Sequence, residues 1–151
     1  MTYKVRGLTY DQMNVGDEFY TVSRTITEAD VVNFAGLSGD YNPLHTDEEW
    51  ARKNTPFETR IAHGVLIQSI ATGLANQLGI FEGTTIAVIE MTSRFVGAVK
   101  FGDTIHTVLK IAEKKESKKA DRGIVTVAIE VRNQKDEAVL QGNWLVMLKR
   151  D

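Results

Sequence analysis

The chain has no cysteine. A disulfide framework and thiolate chemistry are therefore both excluded, and the composition fits the cytosol. Proline occurs twice, at Pro43 and Pro56, and each is expected in a loop. Charge of one sign is not in excess: 18 Lys and Arg face 20 Asp and Glu, for a net charge of −2. That balance leaves no electrostatic footprint for nucleic acid. The longest stretch without Asp, Glu, Lys or Arg, Ile61 to Phe81, contains Gln68, Ser69, Thr72, Asn76 and Gln77. It is too polar to read as a membrane span. The opening Met1-Thr2-Tyr3-Lys4-Val5-Arg6 has no apolar signal core, so no export segment is expected.

What is present is enough for a core. Apolar residues make up 42% of 151, and charged residues 25%, the balance of one ordinary globular domain spanning 1–151. Residues 1–17 read as an irregular lead-in. Glu18 to Thr25 is rich in aromatic and β-branched residues and predicts a strand. Thr27 with Asp30 three residues on predicts a capped helix start, with Val31, Phe34 and Ala35 on its apolar face and a stop between Gly36 and Gly39. A loop is expected from Gly39 to His45, with helix there forbidden by Pro43. A second short helix is expected over Thr46 to Lys53, with Thr46 as its cap. Asn54 to Arg60 reads as a loop.

The main helix is expected from about His63 to Leu78, with Gly79 as its stop. Its apolar residues cover more than one stripe, which predicts burial on most sides. Gly73 and Ala75 are candidates for close approach of a sheet. Thr84 to Val96 is β-rich. Three period-two runs follow. Ile105, Thr107, Leu109 and Ile111 share one face. So do Val125, Val127, Ile129 and Val131, and so do Leu140, Gly142, Trp144, Val146 and Leu148. Lys114 to Arg122 reads as a solvated hairpin connection. The whole is an α+β layout: an antiparallel sheet with one buried face, curled round a long helix.

The residues that carry chemistry lie in Leu37-Ser38-Gly39-Asp40-Tyr41-Asn42-Pro43-Leu44-His45. A carboxylate and an imidazole can share one water and move its proton. Read alone, Asp40 is more often a turn residue and His45 more often a structural histidine. The wider pattern Phe34-x-x-Leu37-Ser38-Gly39-Asp40-x-Asn42-Pro43-Leu44-His45, then Ala51, resembles the MaoC-like (R)-specific enoyl-CoA hydratases. His63-Gly64 at the head of an uncharged helix, and Phe101-Gly102-Asp103-Thr104-Ile105, are similar to that family too. The resemblance runs from about Val15 to the C-terminus. It departs from the family pattern at Ala98, where many relatives carry Pro, and at Thr72, where some place Ser near the site.

The resemblance implies a hot-dog fold, usually paired with a second subunit. It implies reversible hydration of a trans-2-enoyl thioester of coenzyme A or acyl carrier protein. Asp40 and His45 would activate the water, Asn42 would brace the loop, and the Gly64 N–H would bind the thioester oxygen. Asn42, Tyr41, His63, Thr72, Trp50, Phe57 and Lys100 are the candidate substrate-binding residues, although His63 also suits a helix-start or loop hydrogen bond. Arg60, Arg94 and Lys100 are candidates for the phosphates of coenzyme A, with surface charge as the plainer reading. No metal and no separate cofactor is expected, since coenzyme A arrives as part of the substrate. A hot-dog thioesterase and a non-catalytic acyl-CoA-binding subunit are the alternatives.

Overall fold

The computed structural model describes residues 2–151. Its elements in order are β1 (Glu18–Tyr20), β2 (Arg24–Thr25), α1 (Glu28–Ser38), α2 (Pro43–Thr46), α3 (Glu48–Asn54) and α4 (Gly64–Gln77). The long strands β3 (Thr85–Phe95), β4 (Thr104–Glu116), β5 (Arg122–Arg132) and β6 (Ala138–Lys149) follow. The sheet runs β1-β4-β5-β6-β3, with β2 also on β4, and every pairing is antiparallel.

The period-two pattern fixes which face is inside. Ile105, Leu109, Ile111, Val125, Val127, Val131, Leu140 and Leu148 are all fully or almost fully buried. They face α4, which buries Leu66, Ile67, Ile70, Ala71, Leu74 and Ala75 in the same core. Each such aliphatic side chain removed from water contributes about 1.5–3 kcal/mol. The sheet wraps the helix, and the fold is the hot-dog fold that the family resemblance implies.

Four expectations are corrected. Glu18 to Thr25 is not one strand. The Thr21 hydroxyl accepts the Thr107 N–H while the Thr21 N–H goes to the Thr107 carbonyl, and the regular ladder stops there. Pro43 does not forbid helix: it opens the single turn α2, at a position where its missing N–H has no helical partner to lose. Asp47, not Thr46, caps the next helix, its carboxylate accepting the Trp50 N–H. Lastly, α4 is open along one stripe, Val65, Ser69, Gly73 and Asn76. Gly73 has open space beside it, so no sheet approaches there.

Two further differences concern the ends of elements. The lead-in is part of the core, because Tyr10 and Met13 are buried in it. The strands β4 and β5 reach into the charged connection, leaving only 117–121 as the hairpin tip. The capped helix start behaves as read: Thr27 and Asp30 form a reciprocal capping box, and Gly39 ends α1 in the left-handed conformation at φ 79°. No helix among the described residues is long and apolar enough to cross a membrane.

Candidate active site

The turn after α1 aims Asp40. Its N–H donates to Ser38 Oγ at 3.1 Å, and its Oδ1 accepts the Asn42 N–H at 3.1 Å. Asn42 Oδ1 in turn accepts the Leu44 N–H at 3.1 Å and caps α2. That single turn carries His45, whose Nδ1 lies 2.7 Å from the Ile61 carbonyl oxygen. A carbonyl only accepts, so Nδ1 carries the hydrogen and Nε2 is left as the acceptor. His45 is buried, whereas Asp40 is exposed.

The head of α4 closes the other side. His63 donates from Nε2 to the Asp40 carbonyl oxygen at 2.9 Å. Its ring stacks on His45 with centroids 3.8 Å apart and meets Phe34 edge-on at 4.9 Å. A side-chain oxygen of Asp40 and a ring nitrogen of each histidine all lie within 4.8 Å of one another. Burial holds the His45 imidazole below its ordinary value of 6.5. The Ile61 carbonyl opposes that shift, the nearby His63 adds to it, and the Asp40 carboxylate opposes it.

The grouping invites comparison with a metal centre, but the donors do not fit one. Two imidazoles stacked face to face, with centroids 3.8 Å apart and planes inclined by 29°, hold their in-plane lone pairs in two separate layers. An ion needs those lone pairs to converge on one point. The Nδ1 of His45 and the Nε2 of His63 are already committed to backbone carbonyls.

No side chain caps α4. The Ile67 N–H goes to the His63 carbonyl, while the N–H groups of Gly64, Val65 and Leu66 have no protein acceptor among the described residues. These are donors at the positive end of a helix, suited to an anionic or polarised oxygen. A Cβ on Gly64 would stand 2.6 Å from Phe95 Cε1 and 2.7 Å from Cδ1, so the ring lies directly against the helix head. Beside it is a cavity of about 240 Å³ lined by Leu44, His45, Gly64, Ile67, Phe95 and Val139, among others. Its walls are mostly apolar, and both the His45 ring and the head of α4 at Gly64 line it.

The other sequence candidates are dispersed. Tyr41 is 62% exposed in the Asp40 loop. Trp50, on α3, is 40% exposed, and Phe57 is half-buried beyond that helix; neither lines this cavity. Thr72 is two turns down α4, where its hydroxyl donates to the Ser69 carbonyl and it lines a separate cavity of about 120 Å³ with Asn76, Phe81 and Trp144. Lys100 is exposed, with its backbone bridging to Ile61. Arg60 is not a free phosphate ligand. It pairs with Glu28 at 2.7 Å and Glu48 at 2.9 Å and lies over the Phe101 ring. Hydrogen bonds from Thr59 and Arg60 bring the Glu48 carboxyl down to about 2. Arg94 borders a groove shared with Lys110, Glu130 and Gln141, away from the cavity.

Three site residues escaped the sequence reading. Ile61 acts through its carbonyl, which no side-chain pattern reports. Phe34 appeared on the apolar face of α1 and at the start of the family-like pattern, with no role at the site. Phe95 ends β3, and only the folded chain brings it over Gly64.

A sheet wrapped round a long helix with a bare head is the architecture of a hot-dog protein. Residues 11–133 match the MaoC like domain, and the chain belongs to that family. It is 30% identical over 150 residues to a 3-hydroxybutyryl-CoA dehydratase of Methylorubrum extorquens, covering 99% of this chain and 90% of that one. It is 34% identical over 131 residues to an (R)-specific enoyl-CoA hydratase of Rhodospirillum rubrum, covering 85% and 83%. Among solved structures, an R-hydratase from Pseudomonas aeruginosa in its unliganded form superposes with a TM-score of 0.79 at 32% identity, covering 96% of this chain and 88% of that one.

Proposed function

We propose that this protein is a hydro-lyase that adds water reversibly across a trans-2-enoyl thioester to give the (R)-3-hydroxyacyl thioester. The observation that carries the reading is the grouping of the Asp40 carboxylate with the His45 ring, which itself lines the apolar cavity together with Gly64. The relatives named for this chemistry support it. A water held between Asp40 and His45 attacks C3, and its proton passes to the pair. The electrons of the C2–C3 double bond move toward the thioester carbonyl, whose oxygen gathers charge against the Gly64 N–H. The pair then returns a proton to C2, so that one water is added and nothing is left over. Asn42 and the Ile61 carbonyl hold the two groups in place. The apolar cavity takes the acyl chain, delivered on coenzyme A or acyl carrier protein. Neither a metal nor a separate cofactor enters this scheme, and the whole chemistry is assigned to one cytoplasmic domain. Following the loss of enoyl absorbance with crotonyl-CoA, together with chiral analysis of the product, tests it.

The reading makes a pH prediction. His45 must be neutral for Nε2 to take a proton. Its buried ring protonates only below the ordinary value of 6.5. Hence kcat/KM is expected to be flat near neutrality and to fall on the acid side with a midpoint below 6.5. An acid limb centred well above 6.5 would remove His45 from this role.

We also propose a homodimer. The strand β3 is an edge of the sheet, and Ile86, Val88, Ile89 and Phe95 along it, with Val96 just after it and Val65 on α4, are exposed. An edge this long and apolar calls for cover. Light scattering is expected to give twice the chain mass of 16.8 kDa or a multiple of that dimer; a monomer at working concentration would contradict it.

A further inference from the structure

His63 is the polar residue of the site to which the hydration chemistry gives no task. Its surroundings show what it holds. In the Asp40 loop the Gly39 N–H goes to Ala35, the Asp40 N–H to Ser38, the Tyr41 N–H to Gly39 and the Asn42 N–H to Asp40. Thr46 donates to the Tyr41 and Asn42 carbonyls. All of these are local. Among the described residues, the one hydrogen bond joining residues 39–42 to a distant part of the chain is from His63 Nε2 to the Asp40 carbonyl, across 23 positions.

The same ring fixes the second catalytic group. His45 is tied by the Ile61 carbonyl on its edge and by His63 on its face. Phe34 meets the His63 ring edge-on, and only 2% of His63 is exposed, so the ring has little room to move. Packing alone does not account for an imidazole here. Its Nδ1 is buried with no partner, and an unpaired buried polar atom carries a desolvation cost that a phenyl ring would not.

We infer that His63 is a positioning residue: its bond to the Asp40 carbonyl and its stack on His45 together set the gap in which the Asp40 carboxylate and His45 Nε2 share one water. This rests on the proposed hydration chemistry. It adds a role for a side chain that acts only through its two neighbours. The charged and titratable groups facing His45 are Asp40 from the loop and His63 from the helix head. The sheet side offers Phe95, Gly97, Ala98, Val99 and Val139, none of which titrates. Removing His63 therefore also removes a group that pushes His45 down.

Two variants separate the two contacts. His63→Phe keeps an aromatic plate and deletes the donor; His63→Gln keeps a donor and deletes the stack. With crotonyl-CoA as the probe, His63→Phe is expected to lower kcat by about 100-fold, the size of effect that small misplacement produces. KM should change little, because the thioester oxygen still meets Gly64. The acid limb of kcat/KM should move up toward 6.5, and amide exchange at Asn42 should quicken. His63→Gln should recover part of kcat. Wild-type kcat with unchanged exchange in His63→Phe would overturn the inference. So would a raised KM at unchanged kcat, which would make His63 a substrate contact. Imidazole nitrogen NMR of the unaltered protein is expected to show Nε2 as the protonated nitrogen of His63, and an Nδ1–H tautomer would overturn the inference whether or not the variants fold. If the wild type hydrates no enoyl thioester, the functional reading fails, and the exchange and tautomer results still decide whether His63 holds the loop.

Discussion

Asp40→Asn is expected to lower kcat for crotonyl-CoA hydration by about 10²–10⁴-fold, the range that a positioned acid or base supplies. The substitution is a clean one. The side-chain oxygen of Asn still accepts the Asn42 N–H, so the turn that leads into α2 keeps its geometry. Asp40 is exposed and outside the core, so the melting midpoint should scarcely move. What disappears is a negative oxygen facing the His45 ring. The remaining imidazole can still bind a water, but it must then both take and return the proton without a carboxylate beside it. Stopped-flow or steady-state absorbance measures the loss, and circular dichroism checks the fold. A variant within tenfold of wild type would show that the carboxylate is a turn residue and no more.

Gly64→Ala is expected to cost nearly as much by a different route, about 10²–10³-fold in kcat, as for the loss of a donor to the developing oxyanion. The N–H itself remains. The added Cβ, however, would stand within 2.7 Å of the Phe95 ring, closer than carbon atoms approach, so ring or helix head must shift. Phe95 lies outside the buried core of the chain, so its displacement leaves that core intact and the variant should fold. Either movement changes the mouth of the cavity and the line between the N–H and the substrate carbonyl. Combining Gly64→Ala with Phe95→Ala removes the clash and should restore much of the rate, a coupling that separate sites would not show. Equal rates in Gly64→Ala and wild type would mean that the thioester oxygen lies elsewhere.

Much of this fold was legible in the sequence because burial has a period. The alternation of Val125, Val127, Ile129 and Val131, and of Ile105, Leu109 and Ile111, admits only a sheet with one inner face. Turn chemistry was harder. Pro43 and Asp47 were misjudged because proline at a first helical position and a carboxylate cap are local choices that depend on where the preceding turn ends. The exposed stripe of α4 was missed for a related reason: Val65 and Gly73 look like core residues until the sheet is seen to stop short of them.

The site divides in the same way. Asp40, Asn42, His45, His63 and Gly64 lie in two short stretches, and their motif spacing makes them visible. Their separation of about twenty residues is closed by the His63–Asp40 bond, which no spacing rule reports. Ile61 contributes a carbonyl, and Phe95 arrives from the far end of a strand. Trp50, Phe57 and Lys100 looked suitable by type alone, and none of the three lines the cavity beside Gly64.

The most direct test of the central claim is wild-type turnover of crotonyl-CoA with the product resolved by chirality. The account predicts loss of enoyl absorbance and formation of (R)-3-hydroxybutyryl-CoA with the thioester intact. Release of free coenzyme A thiol, formation of the (S) product, or absorbance unchanged with enoyl thioesters of any chain length on either carrier would contradict it.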